Sequence, residues 1–382
     1  NASSFGGGGL QVGAGGLLTG VVFVTNTSSG AQGGGGFYSS GAPPVIFTGG
    51  VFEGNIATSS NAGGARFVGT ATLSGTRFIS NTAGANGNGG GIFTISSITL
   101  TNVTVISNTA PGVLGGGGLY ANNGTLLVTL AGGVFQGNRA THVSTGLGGG
   151  ARVQGPAILT ATQFIGNGAI SGGGLYAGSA AVPVTLTGAL FQDNQANPIT
   201  GTGGGARFQG PVIVSNTRFI NNLAGTGGGL VHSSNVARVV NSLFARNTAN
   251  LGAGLYLSST GNAHIIHTTV ASPSLASGAA IHITNGFVAI TDTIVASHTV
   301  GINRVNGTVI EDYTLFAGTA TSLSGTITSG GHSITGEVRF ASPALDDYHL
   351  LTGSLAIDAG VDAGIAADFE GDPRPLLGGF DI

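Results

Sequence analysis

The chain is predicted to be all-β: a single-stranded parallel β-helix, or β-solenoid, of about 12–13 coils of ~25–30 residues. Three observations predict it. Phe-x-x-Asn, once with Val for Phe, returns nine times as FVTN, FEGN, FISN, VISN, FQGN, FIGN, FQDN, FINN and FARN. Its asparagines are Asn26, Asn55, Asn81, Asn108, Asn138, Asn167, Asn194, Asn222 and Asn247, so eight intervals cover 221 residues. The period of about 28 lies inside the ~20–50 residues of stacked repeats. A glycine run precedes a short apolar pair in each repeat, and the 74 glycines lack the strict triplet of collagen. Val, Ile, Leu, Thr and Phe alternate in short runs ended by Gly or Asn, and no useful stretch has a 3.6-residue period.

One repeat, GGGLYANNGTLLVTLAGGVFQGN from Gly116 to Asn138, shows what each part is for. The glycines supply a tight bend and close backbone approach. Three short strands follow, each stopped by Gly or Asn. The Phe of FxxN points inward and stacks on its equivalents. The Asn sits at a bend, where it tolerates a left-handed backbone and hydrogen-bonds to the Asn above and below. GLGGGAR, Gly146–Arg152, looks alone like a phosphate loop, but the chain has no Lys and no following helix, and the run recurs. It is expected to be a corner. The repeat body is assigned to residues 1–300, and 301–382 to degenerate last coils with an acidic capping or assembly segment.

Aligned on the glycines, the residue after the apolar one forms a column: Tyr38, Arg66, Phe93, Tyr120, Arg152, Tyr176, Arg207, Val231, Tyr256 and His282. An unpaired Arg inside an apolar coil would cost several kcal/mol, so this column is expected to face water. Neighbours ~4.8 Å apart would stack, either to stiffen the coil or to offer an aromatic strip to a glycan or a neighbouring molecule.

FxxN paired with GG-[ALI] over roughly residues 5–300 resembles the repeats of chlamydial polymorphic outer membrane proteins and, more broadly, of bacterial surface proteins with right-handed parallel β-helices. The tail, YHLLTGSLAIDAG and then DFEGDPRPLLGGFDI, is similar to the C-terminal segment of secreted β-helix proteins with a choice-of-anchor domain. That family's D-x-x-G-x-x-R-P is met by Asp368, Gly371, Arg374 and Pro375, while its D-I-G is met only as far as Asp381–Ile382. The resemblance implies a right-handed coil and a secreted or cell-surface protein. It implies no particular activity.

Composition narrows the chemistry. Cys is absent, which excludes disulfides and thiolate metal sites. The lack of Cys, Met, Trp and Lys, the abundance of Thr, Ser and Asn, and a start at Asn1 fit a processed, exported chain. No apolar run approaches the ~18 residues of a membrane span. Sequons at Asn1, Asn26, Asn102, Asn123 and Asn306 are no more than an Asn/Thr-rich chain produces by chance. Net charge is -3, but residues 1–291 hold eight Arg against two carboxylates and the remainder three Arg against twelve. Eleven Arg over so long a body is too thin a footprint for nucleic acid.

Catalysis finds little support. Glu53 and Asp193 lie five coils apart, about 24 Å, too far for a glycosidase pair. A lyase would want clustered carboxylates for Ca²⁺ beside a base, and the body has none. In the tail, Asp358, Asp362, Asp368, Glu370, Asp372 and Asp381 are candidate ligands for a structural Ca²⁺, with turn capping and pairing to Arg374 the simpler reading. His264, His267, His282 and His298 suggest Zn²⁺ less well than surface or turn histidines. The expectation is a non-enzymatic, cofactor-free, secreted structural protein assembling head to tail into a filament. A monomeric adhesin or glycan-binding β-helix comes second, and a polysaccharide lyase or hydrolase third. An uncapped first coil, a basic body and an acidic end favour the polymer.

Overall fold

The computed structural model describes every residue except Ala42, Ala180 and Leu377. It is an all-β parallel solenoid of about 11 turns, 49% strand and 1% helix. Parallel pairing runs to Ile334–Thr335, after which the chain leaves the stack, which keeps the turn number a little under that expected. Among the described residues no helix is long and apolar enough to cross a membrane.

Each coil carries three strands, such as Leu119–Ala121, Val128–Ala131 and Val134–Gln136. Each pairs in register with its equivalent one coil on: Leu119 with Ala151, Val128 with Ala157, Val134 with Gln163. Alternation then sends Leu119, Ala121, Val128, Leu130 and Phe135 into the core and turns Tyr120, Thr129 and Gln136 away. The phenylalanines stack as expected. From Phe135 through Phe164, Phe191, Phe219 and Phe244 the ring centroids are 5.1, 4.9, 4.8 and 4.7 Å apart. That is the strand spacing imposed on the side chains.

The nine asparagines form one buried ladder. Each Nδ2 donates to the Oδ1 of the Asn in the next coil at 2.9–3.0 Å, from Asn26 to Asn247. The same Oδ1 accepts the backbone N–H of the previous Asn, as Asn138 N to Asn167 Oδ1 at 2.9 Å. From Asn55 on, the second Nδ2 proton goes to the carbonyl of the previous coil's Phe or Val, as Asn167 to Phe135 O at 2.8 Å. A buried amide satisfied on both sides adds stability instead of costing it.

The left-handed residue is one place earlier than predicted. It is the residue before each Asn, including Thr25, Ser80, Asp193 and Arg246, and the Asn itself is not left-handed. The reason is the ladder: the side chain must point inward, so the bend is taken up by its neighbour. GLGGGAR is a corner, as expected. Gly148 has φ +64°, and a Cβ on Gly149 would meet the Gly168 and Gly173 carbonyl oxygens at 2.5 Å.

After Asn247 the pattern changes. Pro273 stands where the next ladder Asn would be, and one continuous strand, Asn262–Ile283, runs through that corner. From Phe340 on, the chain folds back as a hairpin, Phe340–Ser342 with Asp347–Leu350, and then an irregular tail. This segment lies on the outer face of the last coils, where Ile294, Ala296, Leu315 and Ala317 form a second small core with Ala356 and Ile382.

Candidate functional site

The Tyr/Arg column does not face water. Tyr38, Phe93, Tyr120, Arg152, Tyr176, Val231 and His282 are buried, Tyr120 at 1% exposure and Arg152 at 6%; Arg66, Arg207 and Tyr256 are half-buried. The column points out of the core, but the chain between each Asn and the next glycine run folds over it. That covering layer has its own parallel ladder of short strands and bridges, through Thr27, Ile56, Thr82, Thr109, Arg139, Gly168, Gln195, Leu223 and Thr248.

The cost of burying the guanidiniums is met from two sides. Arg152 Nη1 donates to Leu114 O at 2.7 Å, Arg207 Nη1 to Thr202 Oγ1 at 2.7 Å, and Arg66 Nη1 to Gln32 O. Rings lie above and below: Arg152 is 5.1 Å from the Tyr120 centroid and 5.5 Å from Tyr176, and Arg66 sits between Tyr38 and Phe93 at 5.6 and 5.5 Å. Tyr256 and His282 close the column as rings 5.3 Å apart. Burial lowers the affinity of Arg66 and Arg152 for their protons and raises the Tyr120 phenol, with the Arg–Tyr attraction opposing it. The column is an internal cation–π stack between two layers of one coil.

No group of three or more Asp, Glu or His among the described residues is arranged to hold a metal ion. Asp358, Asp362, Asp368, Glu370 and Asp372 form no ligand set, because several serve turns. Asp368 Oδ1 accepts the N–H groups of Glu370, Gly371 and Asp372 at 3.0, 2.8 and 2.8 Å. Asp362 Oδ1 accepts from Gly364 N, and Asp381 Oδ1 from Asp358 N. Arg374 reaches an amide and a carbonyl, Asn241 Oδ1 at 2.6 Å and Ala367 O at 2.9 Å, instead of a carboxylate.

These contacts dock the tail on one corner of the solenoid. The left-handed position between the second and third strands is Gly or Asn in most coils, then Asn241, His267, Asp292 and Tyr313 on successive ones. Asn241 Nδ2 donates to Ala367 O and Val361 N donates to Asp292 Oδ1, both at 2.9 Å. Arg246 pairs with Asp346 through two hydrogen bonds of 2.7 and 2.5 Å. The Arg218 guanidinium lies 5.5 Å from the Phe369 centroid. A cleft of about 420 Å³ stays open between tail and coils, with His267 in its wall.

Of the four candidate histidines, His267, His282 and His298 are buried and not surface groups, and the four form no zinc cluster among the described residues. His267 and Asp292 are side by side, Nε2 to Oδ2 3.7 Å, with side chains 1% and 0% exposed. Burial pushes His267 down to about 4, helped by the Arg374 charge, and pushes Asp292 up to about 6 against the Val361 N–H. His298 takes the place of a ladder Asn, buried, with neither ring nitrogen hydrogen-bonded. Burial pushes it, too, down to about 4. His282 belongs to the Tyr/Arg column, and His264 is half-buried on the outer face of its strand.

The docking residues Arg218, Asn241, Asp292, Tyr348 and Phe369 escaped the reading of the sequence. Alignment of the corner before each third strand would have flagged Asn241 and Asp292. No family model, no curated protein and no solved structure matches the chain.

Proposed function

We propose that the protein is a secreted structural shaft, one subunit of an extracellular or cell-surface filament that grows head to tail. The observation that carries this reading is the open edge of the last coil. Among the described residues, the last strands Thr321–Ser324, Thr328–Ser329 and Ile334–Thr335 pair only with the coils before them. The core also reaches the surface there, through partly buried Leu323 and Ile327.

Unpaired strand edges over an apolar core are templates for a further strand. A second copy supplies one in the same parallel sense, and a heterologous contact of this kind does not close. The excess of Arg in the body and of carboxylates after residue 291 steers unlike ends together. The likeness to polymorphic outer membrane protein repeats and to choice-of-anchor tails agrees with a place at the cell surface. Among the described residues no group of three Asp, Glu or His is placed to hold a structural Ca²⁺. A glycan-binding strip along the Tyr/Arg column loses its basis with the column covered.

Electron microscopy of the purified chain tests the proposal. Uniform unbranched fibres are expected. Isolated rods roughly 55 Å long, the height of about 11 coils, at concentrations far above micromolar would overturn it.

A further inference from the structure

The cleft between tail and coils has a composition that a scaffold does not require, and we propose that it binds a small organic cation, an ammonium carried on a sugar-sized ring. Its volume of about 420 Å³ falls within the range of small-molecule sites. Five carboxylates line it, Asp346 paired to Arg246, Glu370 paired to His349 at 3.3 Å, Asp368 and Asp381 each accepting backbone N–H groups through one oxygen, and Asp372. The two guanidiniums in the wall are engaged: Arg218 lies over Phe369, and Arg374 Nη1 is bound to Asn241 and Ala367. Asp372 has no side-chain partner among the described residues. With five carboxylates in the lining against Arg218, Arg374 and His349, the wall carries a negative excess that attracts a cation and repels phosphate or carboxylate ligands.

His267 is an independent pointer. Its side chain is 1% exposed, it lines this cleft, and neither ring nitrogen has a hydrogen-bond partner. A buried, unpartnered imidazole is costly unless something arrives to bond with it. Held neutral by burial and by the charge of Arg374, it keeps one acceptor nitrogen for an N–H or O–H of the ligand. Leu243, Ile294, Tyr348 and Phe369 supply apolar walls for a ring face. Carboxylates for the ammonium, an imidazole acceptor and apolar walls together select an amino sugar over a neutral sugar.

Titration calorimetry of the full chain with glucosamine and with glucose tests this. Glucosamine is expected to bind at least roughly tenfold tighter, the effect of one well-placed charge pair. Asp372→Asn, at an exposed side chain without a partner, is expected to remove most of that margin while the far-ultraviolet circular dichroism stays unchanged. His267→Leu is expected to weaken both sugars alike. Equal affinities, no binding of either at tens of millimolar, or an unchanged margin in Asp372→Asn overturns the proposal.

Discussion

The coils up to Asn247 and those after it are held together by different means. In the first region each coil carries its own supports: a Phe stack, an Asn ladder, a Tyr/Arg column and the covering layer that seals it. In the second, Pro273 and His298 replace the ladder residues and the covering ladder stops at Thr248. The tail takes over there, packing on Ile294, Ala296, Leu315 and Ala317 and tying itself to Asp292, and it reaches back to Asn241 and Arg246 of the coil before. A repeat stabilises its neighbours locally, whereas the last coils depend on tail residues such as Val361, 69 positions from Asp292. The lesson is that stacking alone does not finish a solenoid; where the ladders end, a long-range contact must replace them.

Substitutions at matched positions should expose the contrast, most strongly at the ladder. Asn167→Leu orphans the Asn138 backbone N–H, the Phe135 carbonyl and one proton of the Asn138 amide, and is expected to cost about 3–5 kcal/mol. His298→Leu, at the same place in a late coil, removes two unpartnered nitrogens and is expected to be neutral or stabilising by up to about 1 kcal/mol. Denaturant unfolding of the two variants decides it, and equal losses would break the comparison. Phe164→Ala opens a hole between Phe135 and Phe191 and is expected to cost about 3–5 kcal/mol.

The pH dependence comes next in size. His232 and His298 are buried with folded values near 4, below the ordinary value of 6.5. The unfolded chain thus binds the protons between pH 6.5 and 4, and stability falls as pH drops through that window, by roughly 2–3 kcal/mol for each histidine. Asp292, raised to about 6, works in the opposite sense between pH 6 and 3.8 and offsets His267 in that range. Melting temperatures at pH 7.5 and 4.5 should converge in His298→Leu relative to the parent. An unchanged pH slope would show that His298 is not buried neutral. Smallest is Arg246→Ala, a partly exposed pair expected to cost about 1 kcal/mol or less, with no further loss when Asp346→Ala is added.

What was legible in the sequence follows the same division. Phe164 and Asn167 recur at a fixed period, and the period carries their roles: inward ring, buried amide, glycine corner. Arg152 was placed in the right column but on the wrong side of solvent. Alternation reports which way a side chain leaves its own strand and not whether another segment passes over it. The clue was the length of chain from Asn138 to Gly148, more than a bend needs. Asp292 and Arg374 were opaque for a different reason. Their contacts occur once, between segments with no shared repeat, and no period announces them.

The central claim is that the tail, and not the ladders, holds the last coils. Hydrogen exchange read by mass spectrometry, on the full chain and on one ending at Arg339, tests it directly. Loss of the tail is predicted to abolish protection of amides between about residues 263 and 335 while those between 45 and 240 stay protected. Protection that survives in the last coils, or is lost evenly along the whole chain, would contradict the account.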